Sequence, residues 1–126
     1  MAKIHTILLA DDEPDLRFVV TKRLEVSGYR VLAVADGPSA WELALSGEVI
    51  DCAILDIMMP GLNGFQVCRK LRADERTKHI PVIILTAKDE VTDRYWAEQV
   101  GADAYLTKPF EDDELLSAIR QLVVEE

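Results

Sequence analysis

Three acidic residues and a lysine stand where apolar runs stop. Asp11 and Asp12 follow the run ILLA, Asp56 follows CAIL, Lys108 follows AYLT, and a further run, VIIL, ends at Thr86. Apolar runs this short read as strands buried on both faces. If the strands are parallel, their C-terminal ends share one edge of a sheet and these residues converge there. Three crowded carboxylates repel one another unless a cation joins them, so the cluster suits a hard metal ion and a phosphoryl group. Neighbouring strand residues point to opposite faces, so the loop after the strand must turn to bring both Asp11 and Asp12 near one ion; Asp12 is the better candidate for direct ligation, with Asp11 reaching through water. Mg2+ keeps several waters, so one or two carboxylates and a backbone carbonyl suffice. Asp56 can be both ligand and nucleophile toward phosphorus, giving an aspartyl-phosphate. Lys108 can hold one phosphoryl oxygen as a point charge, and Thr86 can donate a hydrogen bond to another. Singly, each residue has a plainer explanation: a strand-end Asp is ordinarily a turn former or helix cap, and a Lys before Pro a solvated charge. Those explanations do not account for all of them falling at one edge.

The elements that must position these residues alternate five times between strand and helix. Residues 4–10 are the first strand. Leu16, Val19, Val20 and Leu24 recur at helical spacing behind Pro14, and Gly28 ends that helix. Residues 29–35 alternate more, as an edge strand does. Ala40, Leu43 and Ala44 mark a short helix closed by Gly47. Residues 49–55 form the third strand and Val67, Cys68 and Leu71 the third helix, after a loop rich in Pro and Gly. A polar loop over 73–79 leads to strand four at 80–85. Val91, Trp96, Ala97 and Val100 suggest helix four, ended by Gly101, with Tyr95 or Trp96 facing the core and the other partly exposed. Strand five is 104–107. The last helix starts at four acidic residues, Glu111 to Glu114, where its dipole favours them, and buries Leu115, Leu116, Ile119, Leu122 and Val123. Five βα units imply an α/β fold: a five-stranded parallel sheet, doubly wound, with five helices. Ligands of such sheets sit beyond the carboxyl ends of the strands.

The bulk composition sets limits. The chain has 126 residues, 49% of them apolar, enough for one core. No apolar stretch approaches the ~20 residues of a membrane span, and the first residues lack the pattern of a signal peptide. A cytoplasmic protein is the expectation. The net charge of −9 argues against direct nucleic-acid binding. Cys52 and Cys68 are expected to be buried thiols, and His5 and His79 to lie on the surface.

The chain resembles the receiver domains of two-component response regulators over essentially all of residues 1–126. The motifs Asp11-Asp12-Glu13, Leu55 to Gly64, Leu85-Thr86-Ala87 and Leu106 to Phe110 stand in that family's order. The resemblance implies the flavodoxin-like strand order 2-1-3-4-5 and a phosphorylation switch rather than a small-molecule enzyme. By position, Asp56 matches the phosphoacceptor, Asp11 and Asp12 the acidic pair, Lys108 the active-site lysine, Thr86 the switch hydroxyl and Tyr105 the switch aromatic. Met58 matches the residue whose backbone carbonyl binds Mg2+, for which Mn2+ can stand in. The resemblance further implies a cis Lys108–Pro109 bond and a phosphohistidine donor on a sensor kinase or phosphotransfer protein. It also implies slow autodephosphorylation and a protein target on the face of helix four, strand five and helix five, bound as a monomer or a phosphorylation-dependent dimer. Met58 and Lys88 are expected to shield the phosphoryl group from water. The close of the chain after its last helix suits a free-standing receiver and equally one cut from a longer regulator; the first is favoured slightly.

Two other classes compete. A phosphatase of aspartyl-phosphate type needs an acid/base Asp two residues after its nucleophile, where this chain has Met58. A flavodoxin needs a hydroxyl-rich phosphate loop after strand one, where this chain has Asp11-Asp12-Glu13.

Overall fold

A computed structural model describes residues 3–87 and 91–123; Lys88 and the closing residues 124–126 lie outside the described residues. The elements alternate throughout: β1 (Thr6–Ala10), α1 (Pro14–Val26), β2 (Arg30–Val34), α2 (Gly37–Ala44), β3 (Cys52–Asp56), α3 (Gly64–Ala73), β4 (Val82–Thr86), α4 (Val91–Gln99), β5 (Ala104–Thr107) and α5 (Asp112–Leu122). All strand pairs are parallel, in the order β2-β1-β3-β4-β5. The strand order reverses between β1 and β3, the point beyond whose strand ends such sheets bind their ligands.

Alternate strand residues feed two cores. Leu8, Ala10, Ala53, Leu55, Val82 and Ile84 pack with Ala40, Ala44, Val67, Cys68, Leu71, Ala97 and Val100 of α2, α3 and the α4 region. Ile7, Leu9, Cys52, Ile54, Ile83 and Leu85 pack with Val20, Leu24, Leu115, Ile119 and Val123 from α1 and α5. Coverage of both faces explains why β1, β3 and β4 are buried at every position while the edge strand β2 is not. Both cysteines are buried and free, as expected, and burial pushes the Cys52 thiol up to about 12.

Several expectations need correcting. Ile4 and Val49 are exposed and lie outside their strands, and Ile80, though buried, precedes β4. Hydrophobicity alone overextended each run by two or three residues at its start. Val19 of α1 and Val91 of α4 are exposed rather than part of the buried stripes. His5 is buried, not on the surface. Its carbonyl still pairs with the Arg30 N–H at 3.0 Å, so the ladder continues one residue ahead of β1. The His5 Nδ1 lies 3.7 Å from Asp51 Oδ2. His79 is exposed, as expected. Tyr95 and Trp96 are both exposed, meeting edge to face with centroids 5.4 Å apart. The sheet-facing direction of α4 belongs to Ala97 and Val100. At about 100° per residue, Trp96 flanks that stripe and Tyr95 points away from it.

The polar loop over 73–79 carries an anchor that composition hides. Thr77 is fully buried, and its hydroxyl donates to Leu71 O at 2.8 Å. Beside it, Arg72 donates to Ile80 O at 2.6 Å, to Gly101 O at 3.0 Å and to Asp103 Oδ2 at 2.8 Å. These bonds tie the end of α3 to the approaches of β4 and β5, which fixes the register of the two strands that deliver Thr86 and Lys108.

Candidate functional site

The strand ends meet as the parallel sheet requires. Asp11 follows β1, Asp56 closes β3, Thr86 closes β4 and Lys108 follows β5. In register, Ala10 lies beside Leu55, Asp56 beside Leu85 and Thr86 beside Thr107. Asp11, Asp12 and Asp56 each offer a carboxylate oxygen, and the three oxygens lie within 4.8 Å of one another. The Lys108 ammonium sits among them, 2.9 Å from Asp56 Oδ2, 3.2 Å from Asp11 Oδ2 and 3.3 Å from Glu13 Oε1. Its peptide bond to Pro109 is cis. Glu13 entered the sequence reading only as part of a motif; its position one residue after the acidic pair was the available signal.

The loop after β1 turns both aspartates toward one point. The Asp11 N–H donates to Val34 O at 3.1 Å, and Arg17 Nη1 donates to Asp11 O at 2.8 Å. Asp11 Oδ1 accepts the Glu13 N–H at 3.0 Å. Both oxygens of the buried Asp11 are therefore engaged, whereas Asp12 is exposed and its carboxylate has no hydrogen bond among the described residues.

Asp56 is buried, with 3% of its surface exposed. Burial pushes its carboxyl up to about 6, against the hydrogen bond and charge of Lys108, and the neighbouring Asp11 charge adds to the rise. For Lys108, burial disfavours the charge, but Asp56 and Asp11 together outweigh it and hold the ammonium above its ordinary pKa. One cation among three carboxylates leaves the pocket short of positive charge. An all-oxygen donor set with that deficit fits a hard divalent ion.

The other expected residues are placed less simply. The Met58 N–H faces Asp56 Oδ1 at 3.3 Å, so its backbone borders the site, while its side chain is 72% exposed. Thr86 is buried, and its hydroxyl donates to Asp93 Oδ2 of α4 at 3.3 Å. Its carbonyl accepts the Lys108 N–H at 2.6 Å. Tyr105 is half-buried, with the Arg94 guanidinium 5.3 Å from its ring centroid. Asp93 and Arg94, consecutive on α4, thus contact the two expected switch residues. Nothing in the sequence singled them out, because both are ordinary solvent-face residues of a helix.

Comparison with known proteins agrees with this architecture. The family model described as response regulator receiver domain matches residues 7–120. Protein PilH of Pseudomonas aeruginosa is 44% identical over 117 residues, spanning 93% of this chain and 96% of that protein. The DNA-binding dual master transcriptional regulator RpaA of Synechocystis is 43% identical over 93% of this chain, which spans only 48% of RpaA. Among solved structures, the receiver domain of sensor histidine kinase PA1611 from Pseudomonas aeruginosa, with a magnesium ion in its active-site cleft, superposes with TM-score 0.87 at 35% identity. That match covers 95% of this chain and 98% of that one.

Proposed function

Because this chain belongs to the response regulator receiver domain family, whose members are phosphorylation-dependent signalling switches, we propose that it takes a phosphoryl group on Asp56 from a phosphohistidine of a sensor kinase or phosphotransfer protein. One observation carries the reading: a buried carboxylate, Asp56, with Lys108 Nζ at 2.9 Å and two further carboxylates crowded against it. Asp12, Asp56 and the Met58 carbonyl would hold Mg2+, with Asp11 acting through water; Mn2+ can replace it. When bound, the ion offsets charge on the acidic cluster and on the phosphoryl oxygens.

The Asp56 carboxylate attacks phosphorus, the bond to the donor imidazole breaks, and that nitrogen keeps the electron pair. Lys108 then holds a phosphoryl oxygen. Thr86 gives up its contact with Asp93 to donate to another oxygen, and Tyr105 turns inward. Both movements shift a two-state equilibrium. The signal leaves through α4, β5 and α5 to a protein target, as a monomer or a phosphorylation-dependent dimer, in the cytoplasm. The acidic chain binds no nucleic acid directly. Residues 1–126 act as one receiver domain that catalyses its own phosphorylation and slow dephosphorylation, with Met58 and Lys88 retarding the latter.

The test is labelling. Acetyl phosphate with Mg2+ should add one phosphoryl group by intact mass, and chelating the metal should prevent it. Following loss of label after donor removal tests the retarding pair: Met58→Asn with Lys88→Glu should decay faster than wild type, and equal decay would discard that role. For the output face, beryllofluoride with Mg2+ should move amide resonances of α4, β5 and α5. Shifts confined to the loops after β1 and β3 would refute that face. No helix of the described residues is long and apolar enough to cross a membrane.

A further inference from the structure

The turn between β2 and α2 carries none of the residues that would meet a phosphoryl group, yet its backbone touches both halves of the site. Val34 O accepts the Asp11 N–H at 3.1 Å. Asp36 caps α2 by accepting the Ser39 N–H at 2.7 Å. The Gly37 N–H reaches across to Pro60 O at 3.3 Å. A Cβ on Gly37 would lie 2.0 Å from Leu62 O and 2.5 Å from Leu62 Cβ. The same seam continues at Gly61, whose φ is +80° and whose Cβ would lie 2.7 Å from Pro38 Cγ and Cδ. At the other end of this loop, a Cβ on Gly64 would lie 2.5 Å from Asp56 O. The segment bearing Met58 is therefore gripped from both sides, by Gly64 seated on Asp56 and by Gly37 and Pro38 seated on Leu62 and Gly61.

We propose that the turn from Val34 to Pro38 is a positioning brace, setting the spacing between the Asp11–Asp12 pair and the Met58 carbonyl, and that Gly37 is the residue on which it depends. The inference rests on reading Asp12, Asp56 and Met58 as the Mg2+ ligands. A contact between backbone atoms cannot yield by rotating a side chain, so a methyl group at position 37 must push the loop. Mg2+ tolerates little displacement, since it demands near-octahedral geometry at about 2.0–2.1 Å.

Helix α2 supplies its own control. Gly47, beyond the helix C-terminus, has φ +93° with open space around its Cβ position. Gly47→Ala therefore strains the backbone without pressing on any neighbour. The experiment measures Mg2+ affinity by calorimetry, thermal unfolding in chelator, and amide shifts of the metal-free protein. Gly37→Ala is expected to weaken Mg2+ about tenfold, as loss of an outer-shell support does, and to shift the Met58 amide without metal. Gly47→Ala is expected to lose thermal stability and keep wild-type affinity. If Gly37→Ala does not fold, Pro38→Gly is read instead. It deletes the atoms abutting Gly61, adds none, and is expected to weaken Mg2+ in the same direction. Wild-type affinity in the variant that is read, or an equal loss in Gly47→Ala, overturns the brace. A wild-type protein that takes up no Mg2+ overturns the ligand assignment instead. The metal-free Met58 shift then decides the brace alone: its presence in Gly37→Ala supports it and its absence overturns it.

Discussion

Asp56→Asn takes up no label from acetyl phosphate and Mg2+ under conditions that label the wild-type chain fully, and at neutral pH its metal-free form is the more stable of the two. The first result follows from chemistry: a carboxamide offers no anionic oxygen to attack phosphorus. Intact mass reads it, and equal labelling of the variant would remove Asp56 as acceptor. The second result follows from linkage. Burial pushes the Asp56 carboxyl from 3.8 up to about 6 in the fold, so the folded chain holds that proton more tightly than the unfolded one. Ionising Asp56 therefore costs stability. The cost is absent below about 3.8, grows as pH rises, and is complete above about 6. A shift of this size amounts to at most about 3 kcal/mol. Asn escapes that cost, while Lys108 keeps Asp11 and Glu13 as partners. The gap in Tm between variant and wild type should be widest above pH 6 and close toward pH 4. A wild type more stable than the variant above pH 6 would mean that Lys108, not burial, dominates the site. Added Mg2+ should narrow the gap from the other direction, by stabilising the wild type.

The fold and the convergence of the site were legible because both follow from one pattern. Short apolar runs alternating with helical patterns read as strands of a covered parallel sheet, and each run ended on a residue with chemistry. That pattern alone places Asp11, Asp56, Thr86 and Lys108 at one edge. It failed where tertiary contact decides against residue type. His5 looked like a surface residue because no partner group was evident in the sequence, yet it is buried where its carbonyl continues the ladder to Arg30. One of Tyr95 and Trp96 was expected to face the core, and neither does. The small Ala97 takes the position facing the sheet instead. The contacts of Asp93 with Thr86 and of Arg94 with Tyr105 depend on how α4 is rotated, which the weakly patterned sequence of that helix does not encode. The grip of Gly37 on Leu62 was hidden for another reason. A turn glycine announces backbone freedom, but not which distant backbone needs the space.

Replacing Asp12 with Ala should raise the Mg2+ Kd far more than replacing Asp11 with Ala. The two residues are adjacent and chemically identical, so composition cannot separate them; their surroundings do. Asp11 Oδ1 is occupied by the Glu13 N–H and Oδ2 by Lys108, and the residue is buried. Direct ligation by Asp11 would compete with one of these bonds for its oxygen. The exposed Asp12 carboxylate has no such bond to break. Losing Asp11 also has a compensating side. Its charge helps hold the Asp56 carboxyl up near 6, so Asp11→Ala lets Asp56 ionise more readily and recovers some attraction for a cation. A supporting residue near a metal is typically worth about 10–100-fold in affinity. Asp11→Ala should sit at the low end of that range, and Asp12→Ala beyond its high end. Amide-detected Mg2+ titrations of both variants at pH 7.5, above the Asp56 transition at about 6, measure the two constants side by side. Equal weakening would show that both aspartates ligate directly, and a larger loss at Asp11 would reverse their roles. Lowering the pH toward 6 adds a second axis. Protons then compete with the ion for Asp56, so affinity should fall in the wild type, and fall less steeply in Asp11→Ala, where Asp56 no longer feels its neighbour's charge.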